Sequence, residues 1–116
     1  MAGAKSEQQP GDPIAVIQFE CTRSDGSKGS VRVWIEKPYR RSEGDSGCAC
    51  GMNGLGPDHT VICGVDHFQA LGLAMHFLCQ RLADEIRRGL ILTCYGKDDK
   101  LSVEDLAHLY GIRGPL

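Results

Sequence analysis

Cysteine residues are the part of this sequence most able to do chemistry. Cys48 and Cys50 flank a single alanine, so an extended segment would carry both thiols on one face, close enough to bind one metal ion together. Cys63 would complete a candidate zinc site, with other donors at Cys79, His59 and His67. The Cys-x-Cys spacing differs from the knuckle that commonly wraps structural zinc, and no second pair follows it. The alternative, which we favour, makes the thiols small buried side chains and predicts no cofactor.

A cysteine nucleophile is a second chemical hypothesis. Cys63 has His59 four residues before it and His67 four residues after it, and a neighbouring histidine can activate a thiol as its base. Spacing in sequence does not establish that geometry, and the same residues could equally pack or lie at a solvent edge. We therefore assign no catalytic residue, and an enzyme is the third-ranked reading of the chain.

The residues that would position these groups show two periodicities. Alternating side chains predict strands over 13–22, 31–35, 48–53 and 59–63, with 90–95 as a further candidate strand. Asp66, with Gln69 three residues on, predicts the start of a long helix that Gly89 ends, and Ser102 caps a short C-terminal helix. We expect an α+β fold: an antiparallel sheet of four strands, or five if 90–95 joins it, packed on one long helix. Residues 1–12 read as a disordered tail and 13–116 as a single domain.

The long helix is predicted to have two apolar sides. The main stripe, expected to pack on the sheet, comprises Phe68, Leu71, Gly72, Met75, Leu78, Cys79, Leu82 and Ile86. The opposite side would carry Ala70, Leu73, Ala74 and Phe77, and either the C-terminal helix or another subunit should cover it. Leu73 and Phe77 are therefore candidate partner-binding residues. Arg40 and Arg41, in the most basic loop, are a second candidate for a partner, although a solvated loop explains them as well.

Composition excludes several classes of function. The chain has 116 residues, a net charge of -2 and no basic stripe, so nucleic acid is not an expected partner. Its longest apolar segment is interrupted by polar residues and is shorter than the roughly 20 residues a membrane span needs. The N-terminus lacks the apolar stretch of a secretory signal, so we expect a cytoplasmic protein whose six cysteines are reduced.

The order of parts resembles a family of small bacterial domains of unknown function. The resemblance rests on Val31-Arg32-Val33-Trp34-Ile35, on Gly54-Leu55-Gly56 and on the run from Gly64 to Ala74, which contains Gly-x-Asp-x-x-Gln-Ala-Leu. It covers roughly residues 14–95 and implies the fold but no activity. Cys48 to Met52 depart from the pattern, because relatives tend to have an aromatic residue and a proline there. Any role of these thiols would be local to this protein.

The leading functional hypothesis is a non-enzymatic protein-interaction module. Its partner would be a second copy of the chain, forming a homodimer, or another protein. A metal-binding or thiol protein built on Cys48, Cys50 and Cys63 is the runner-up.

Overall fold

The chain forms one antiparallel sheet and two helices in the computed structural model, which describes residues 12–94, 96 and 98–116. The elements follow the order β1 (Pro13–Thr22), β2 (Lys28–Glu36), β3 (Tyr39–Arg40), β4 (Ser46–Asn53), β5 (Thr60–Gly64), α1 (His67–Arg87), β6 (Ile91–Cys94) and α2 (Val103–Leu109). The predicted α+β class, antiparallel sheet, long helix and short C-terminal helix are confirmed. No helix in the described ranges has the length and apolar character needed to cross a membrane.

The predicted number of strands was wrong, because the described sheet has six. The strands lie side by side in the order β5-β4-β2-β1-β6, and β3 pairs with the same edge of β4 as β2 does. Pro38 favours a loop after β2, since proline cannot donate to a ladder. The chain instead resumes pairing directly after it, with Tyr39 opposite Gly47. The candidate strand at 90–95 does join the sheet, as β6 beside β1.

Two predicted segments extend beyond the described residues. Of the predicted tail over 1–12, only position 12 is described, and position 95 of the candidate last strand is also outside the described ranges.

Both helices begin at the predicted caps. The Asp66 carboxylate accepts from the Gln69 backbone N–H at 2.8 Å, satisfying a donor that the first turn leaves free. The Gln69 side chain accepts from the Val65 N–H, whereas in a capping box it would accept from the N–H of the cap, Asp66. Ser102 and Asp105 form a reciprocal capping box at the start of α2. α1 ends at Arg87, and Gly89 leaves the helix with φ of +109°, a conformation that favours glycine.

The predicted stripe of α1 is confirmed over most of the helix, where Leu78, Cys79 and Leu82 are buried, but its first turns differ from the prediction. At Gly64 an added Cβ would lie against the backbone of Ala70, so the helix approaches β5 too closely for a large side chain. Ala70 and Ala74, predicted to lie on the outer side, are therefore fully buried. Phe68, predicted to face the sheet, is 87% exposed, because it lies about 200° around the helix from Ala70. The spacing of the large apolar residues therefore predicts the wrong side of the first turn to face the sheet.

α1 covers only part of its face of the sheet. It packs mainly on β4 and β5 and touches β2 slightly. The core lies between the sheet and α1, and it includes Phe19, Met52, Leu82 and Leu92, all nearly inaccessible to solvent. The first half of β1 lies on the far side of β2 from the strands that α1 covers, and its apolar side chains are left partly open.

Candidate functional site

The first half of β1 has an open edge. β2 pairs with β1 along most of its length, whereas β6 covers the other side of β1 only from Phe19 to Thr22. Among the described residues, none pairs with the outer edge of Ile14–Gln18, which we call the β1 edge. Its backbone donors and acceptors are therefore available to another strand, as at any unpaired sheet edge.

The β1 edge is apolar on both faces of the sheet. Ile14, Val16 and Ile17 are 55%, 47% and 37% exposed. Ala15 and Ile17 lie opposite Ile35 and Val33 and so share the face that packs on α1, whereas Val16 lies opposite Trp34 on the other face. Protein edges are usually protected by charges, prolines or short length. Here the only such features lie at the start, where Pro13 begins the strand and a bulge follows it.

An apolar cavity adjoins the β1 edge. It has a volume of about 220 Å³ and opens between the first half of β1 and the helix that covers the neighbouring strands. Its walls come from β1, β2, α1 and the end of α2, with Ala15, Val16, Ile17, Phe19, Val33, Trp34, Ile35, Met75, Leu78, Cys79, Leu82 and Tyr110 lining it. The edge therefore combines free backbone hydrogen-bonding groups with space for apolar side chains.

Cys48 and Cys50 lie together in the core between β4 and α1. Both are fully buried, and the Cys48 thiol donates to the backbone carbonyl of Glu36 at 3.3 Å. Burial raises the pKa of Cys48 to about 11 and that of Cys50 to about 12, with the nearby Cys48 contributing to the second shift. Burial also raises the pKa of Cys79, across the interface on α1, to about 11. These thiols hold their protons in the folded chain.

Cys63 is not brought together with Cys48 and Cys50. It lies directly opposite Gly47 in the β4–β5 ladder, and neighbours along β4 point to opposite faces of the sheet. Cys63 is exposed on the face away from α1. Among the described residues, no group of three or more histidine, cysteine, aspartate or glutamate side chains is arranged to hold a metal ion.

The loop between β3 and β4 brings a guanidinium group to Cys63. Arg41 donates to the Cys63 sulfur at 2.6 Å and forms ion pairs with Asp45 at 3.4 Å and Glu43 at 3.3 Å. The charge of Asp45, with that of Glu43 adding to it, raises the pKa of Arg41. Arg40 donates to the Gly44 carbonyl at 3.2 Å. The predicted basic patch is thus balanced by its own acidic residues.

The two histidines near Cys63 have other neighbours. The His67 ring is 2.7 Å from the Ser46 hydroxyl, on the α1 side of the sheet. The His59 ring packs on Trp34, with centroids 5.7 Å apart. His59 and Cys63 are four residues apart, which in an extended segment is a separation of about 13 Å. No nucleophile and base pair of the predicted kind is formed by these residues.

The predicted partner-binding residues of α1 differ in exposure. Leu73 is 45% exposed, whereas Phe77 is half-buried and packs against the core. The reason is the orientation of α1 described above, since Phe77 is two turns from Ala70 and lies on nearly the same side. Only Leu73 of this pair presents a largely open apolar surface.

The sequence contains a signal for the β1 edge, although none of the predicted site residues lies there. Ile14, Ala15, Val16 and Ile17 are apolar on both faces of one strand without a charge among them. A strand with one solvated face alternates apolar and polar residues, whereas a continuous apolar run is typical of a strand covered on both faces. In the described structure this run is left partly open.

Comparisons of the chain with known protein families, with curated proteins and with solved structures find no match. The resemblance to the bacterial domain family stays a prediction.

Proposed function

We propose that this chain is a non-enzymatic protein-interaction module that adds an extended polypeptide strand to its β1 edge. The observation that carries the proposal is the unpaired run Ile14–Gln18 beside an apolar cavity. Strand addition combines main-chain hydrogen bonds, which give affinity, with pockets for alternate side chains, which give specificity. Both features are present at this edge.

The apolar side chains support the same proposal. Contiguous exposed apolar surface is uncommon on a monomer and usually marks a binding surface. Ile14, Val16 and Ile17 would each contribute on the order of 1 kcal/mol to the free energy of binding if they became fully buried. This is about half the usual value, because each side chain is already about half covered. The ladder hydrogen bonds would add a further contribution.

A synthetic peptide can test strand addition directly. The probe is the β1 sequence from Ile14 to Gln18, flanked by lysines for solubility and labelled with a fluorophore, titrated against dilute protein by fluorescence anisotropy. We expect saturable binding that the same peptide with a central proline does not show, since proline has no N–H for the ladder.

Two protein variants give the matched control. Val16→Lys places a charge on the β1 edge, whereas Leu73→Lys places the same charge on an almost equally exposed residue of α1. The peptide should bind the Leu73→Lys protein like the wild type and the Val16→Lys protein at least tenfold more weakly. Equal binding to both variants, with both folded by circular dichroism, would refute strand addition at this edge.

A further inference from the structure

We propose that the strand added at the β1 edge is the β1 edge of a second copy of this chain, so that two sheets join across a twofold axis. This inference rests on the proposed function and names its partner. Antiparallel pairing of two identical edges is isologous, with the same residues contributed by each copy, as in most homodimers.

The charge of the β1 edge suits pairing with itself. Ile14–Gln18 contains no charged residue, so an identical strand placed opposite brings no like charges together. The two apolar surfaces would instead cover each other. An acidic or basic partner strand would find no opposite charge within this run.

The surrounding structure favours one register, which gives the longest ladder without proline. In an antiparallel ladder opposite residues share a face, so a twofold axis places one residue opposite its own copy. With Val16 at the axis, Ala15 lies opposite Ile17 and Ile14 opposite Gln18, and the ladder ends there because Pro13 of the second copy would lie opposite Phe19, where β6 already pairs. Centring on Ile17 would bring Ala15 of the second copy to that same position, so only residues 16–18 could pair. Centring on Ala15 would place Pro13, which has no backbone N–H, opposite Ile17 within the ladder.

The Val16 register also gives the cavity an occupant. Ala15 lines the cavity and faces the side of the sheet on which α1 packs. Ile17 of the second copy lies opposite Ala15 in this register and on the same face. Its side chain would therefore enter the 220 Å³ space from the open side, and the symmetric contact would fill the cavity of the other copy.

The other edge of the sheet is β5, Thr60–Gly64. This strand also carries no charge, but α1 packs along it. The β1 edge has the cavity, and so we assign the interface to β1.

Disulfide trapping tests this register. In a Cys63→Ser background, which removes the exposed native thiol, Val16→Cys places two cysteines opposite each other across the axis. Gln18→Cys is the matched control, because its two copies would be offset by four residues, about 13 Å along the strands, beyond the reach of a disulfide. We expect mild oxidation to give a covalent dimer with Val16→Cys and none with Gln18→Cys, and peptide mapping should place the bond at position 16.

Sedimentation of the untagged full chain supplies the second readout. We expect a dimer that Val16→Glu weakens at least tenfold and that Leu73→Glu leaves unchanged. A dimer that survives Val16→Glu, or that is lost only in Leu73→Glu, places the contact elsewhere and overturns the proposal. A wild-type monomer that still binds the β1 peptide overturns the second copy as occupant while strand addition stands. A monomer that binds no peptide overturns both.

Discussion

The buried thiols predict a fall in stability at high pH that a single substitution should remove. The ordinary pKa of a cysteine here is 9.0, and burial raises the pKa of Cys50 to about 12. A raised pKa means that the folded chain keeps a proton that the unfolded chain has lost. The thiol therefore contributes its full share of stability below pH 9 and loses it progressively as the pH rises toward 12.

The size of the effect follows from these values. One pH unit above the unfolded pKa, each buried thiol lowers the free energy of unfolding by about 1.4 kcal/mol relative to pH 7. Cys48, Cys50 and Cys79 together should lower it by about 4 kcal/mol at pH 10. This is a large fraction of the stability of a small domain.

The measurement is urea unfolding at pH 7 and pH 10 in the presence of a reductant. At pH 7 we expect Cys50→Ala to be less stable than the wild type by ~1 kcal/mol, because a small buried group is lost. At pH 10 the variant should be about as stable as the wild type or more stable by roughly 0.4 kcal/mol, since the wild type loses about 1.4 kcal/mol through this thiol and the variant does not. Val33→Ala, a buried neighbour without a titrating group, should stay below the wild type by the same amount at both pH values.

Two results would contradict this account. If the free energies of unfolding of Cys50→Ala and the wild type differed by the same amount at pH 7 and pH 10, the folded chain would not be holding the thiol proton. A wild-type stability that instead rises from pH 6 to pH 9 and falls with a chelator would indicate that Cys48 and Cys50 bind metal, because metal-bound cysteines are thiolates.

Two further predictions concern the face of the sheet away from α1. At pH 8 a thiol reagent should modify Cys63 before any other cysteine, because it is the exposed one, and peptide mapping by mass spectrometry would show a different order if this is wrong. Gly51→Ala should cost about 1–3 kcal/mol and change Trp34 fluorescence, because the added Cβ would meet the Asp58 carbonyl and the Trp34 ring. Gly72→Ala, in open space on α1, should not destabilise the chain, and equal losses in both variants would refute the packing argument.

Local sequence signals predicted the boundaries of several elements. β1 runs from Pro13 to Thr22 as predicted, because β-branched residues alternate there and turn-forming residues follow. Asp66 and Ser102 cap helices as predicted, because a cap needs only a side-chain oxygen and the backbone two or three residues on.

Properties that depend on distant contacts were predicted less well. The pairing of Tyr39 with Gly47 depends on where β4 lies after Pro38, which no local pattern specifies. The side of α1 that is buried depends on the close approach at Gly64, which selects small residues over large ones. Size-weighted periodicity therefore placed Phe68 inside and Ala70 outside.

The sequence by itself determined that Cys48 and Cys50 share a face, since alternation along a strand is a property of the backbone. Only the tertiary structure decided that Cys63 lies on the other face, because that depends on the register of β5 against β4. In the same way, the sequence determined that β1 is apolar and uncharged from Ile14 to Ile17. That β6 stops short of this run, leaving its edge open among the described residues, was decided by how the sheet assembles.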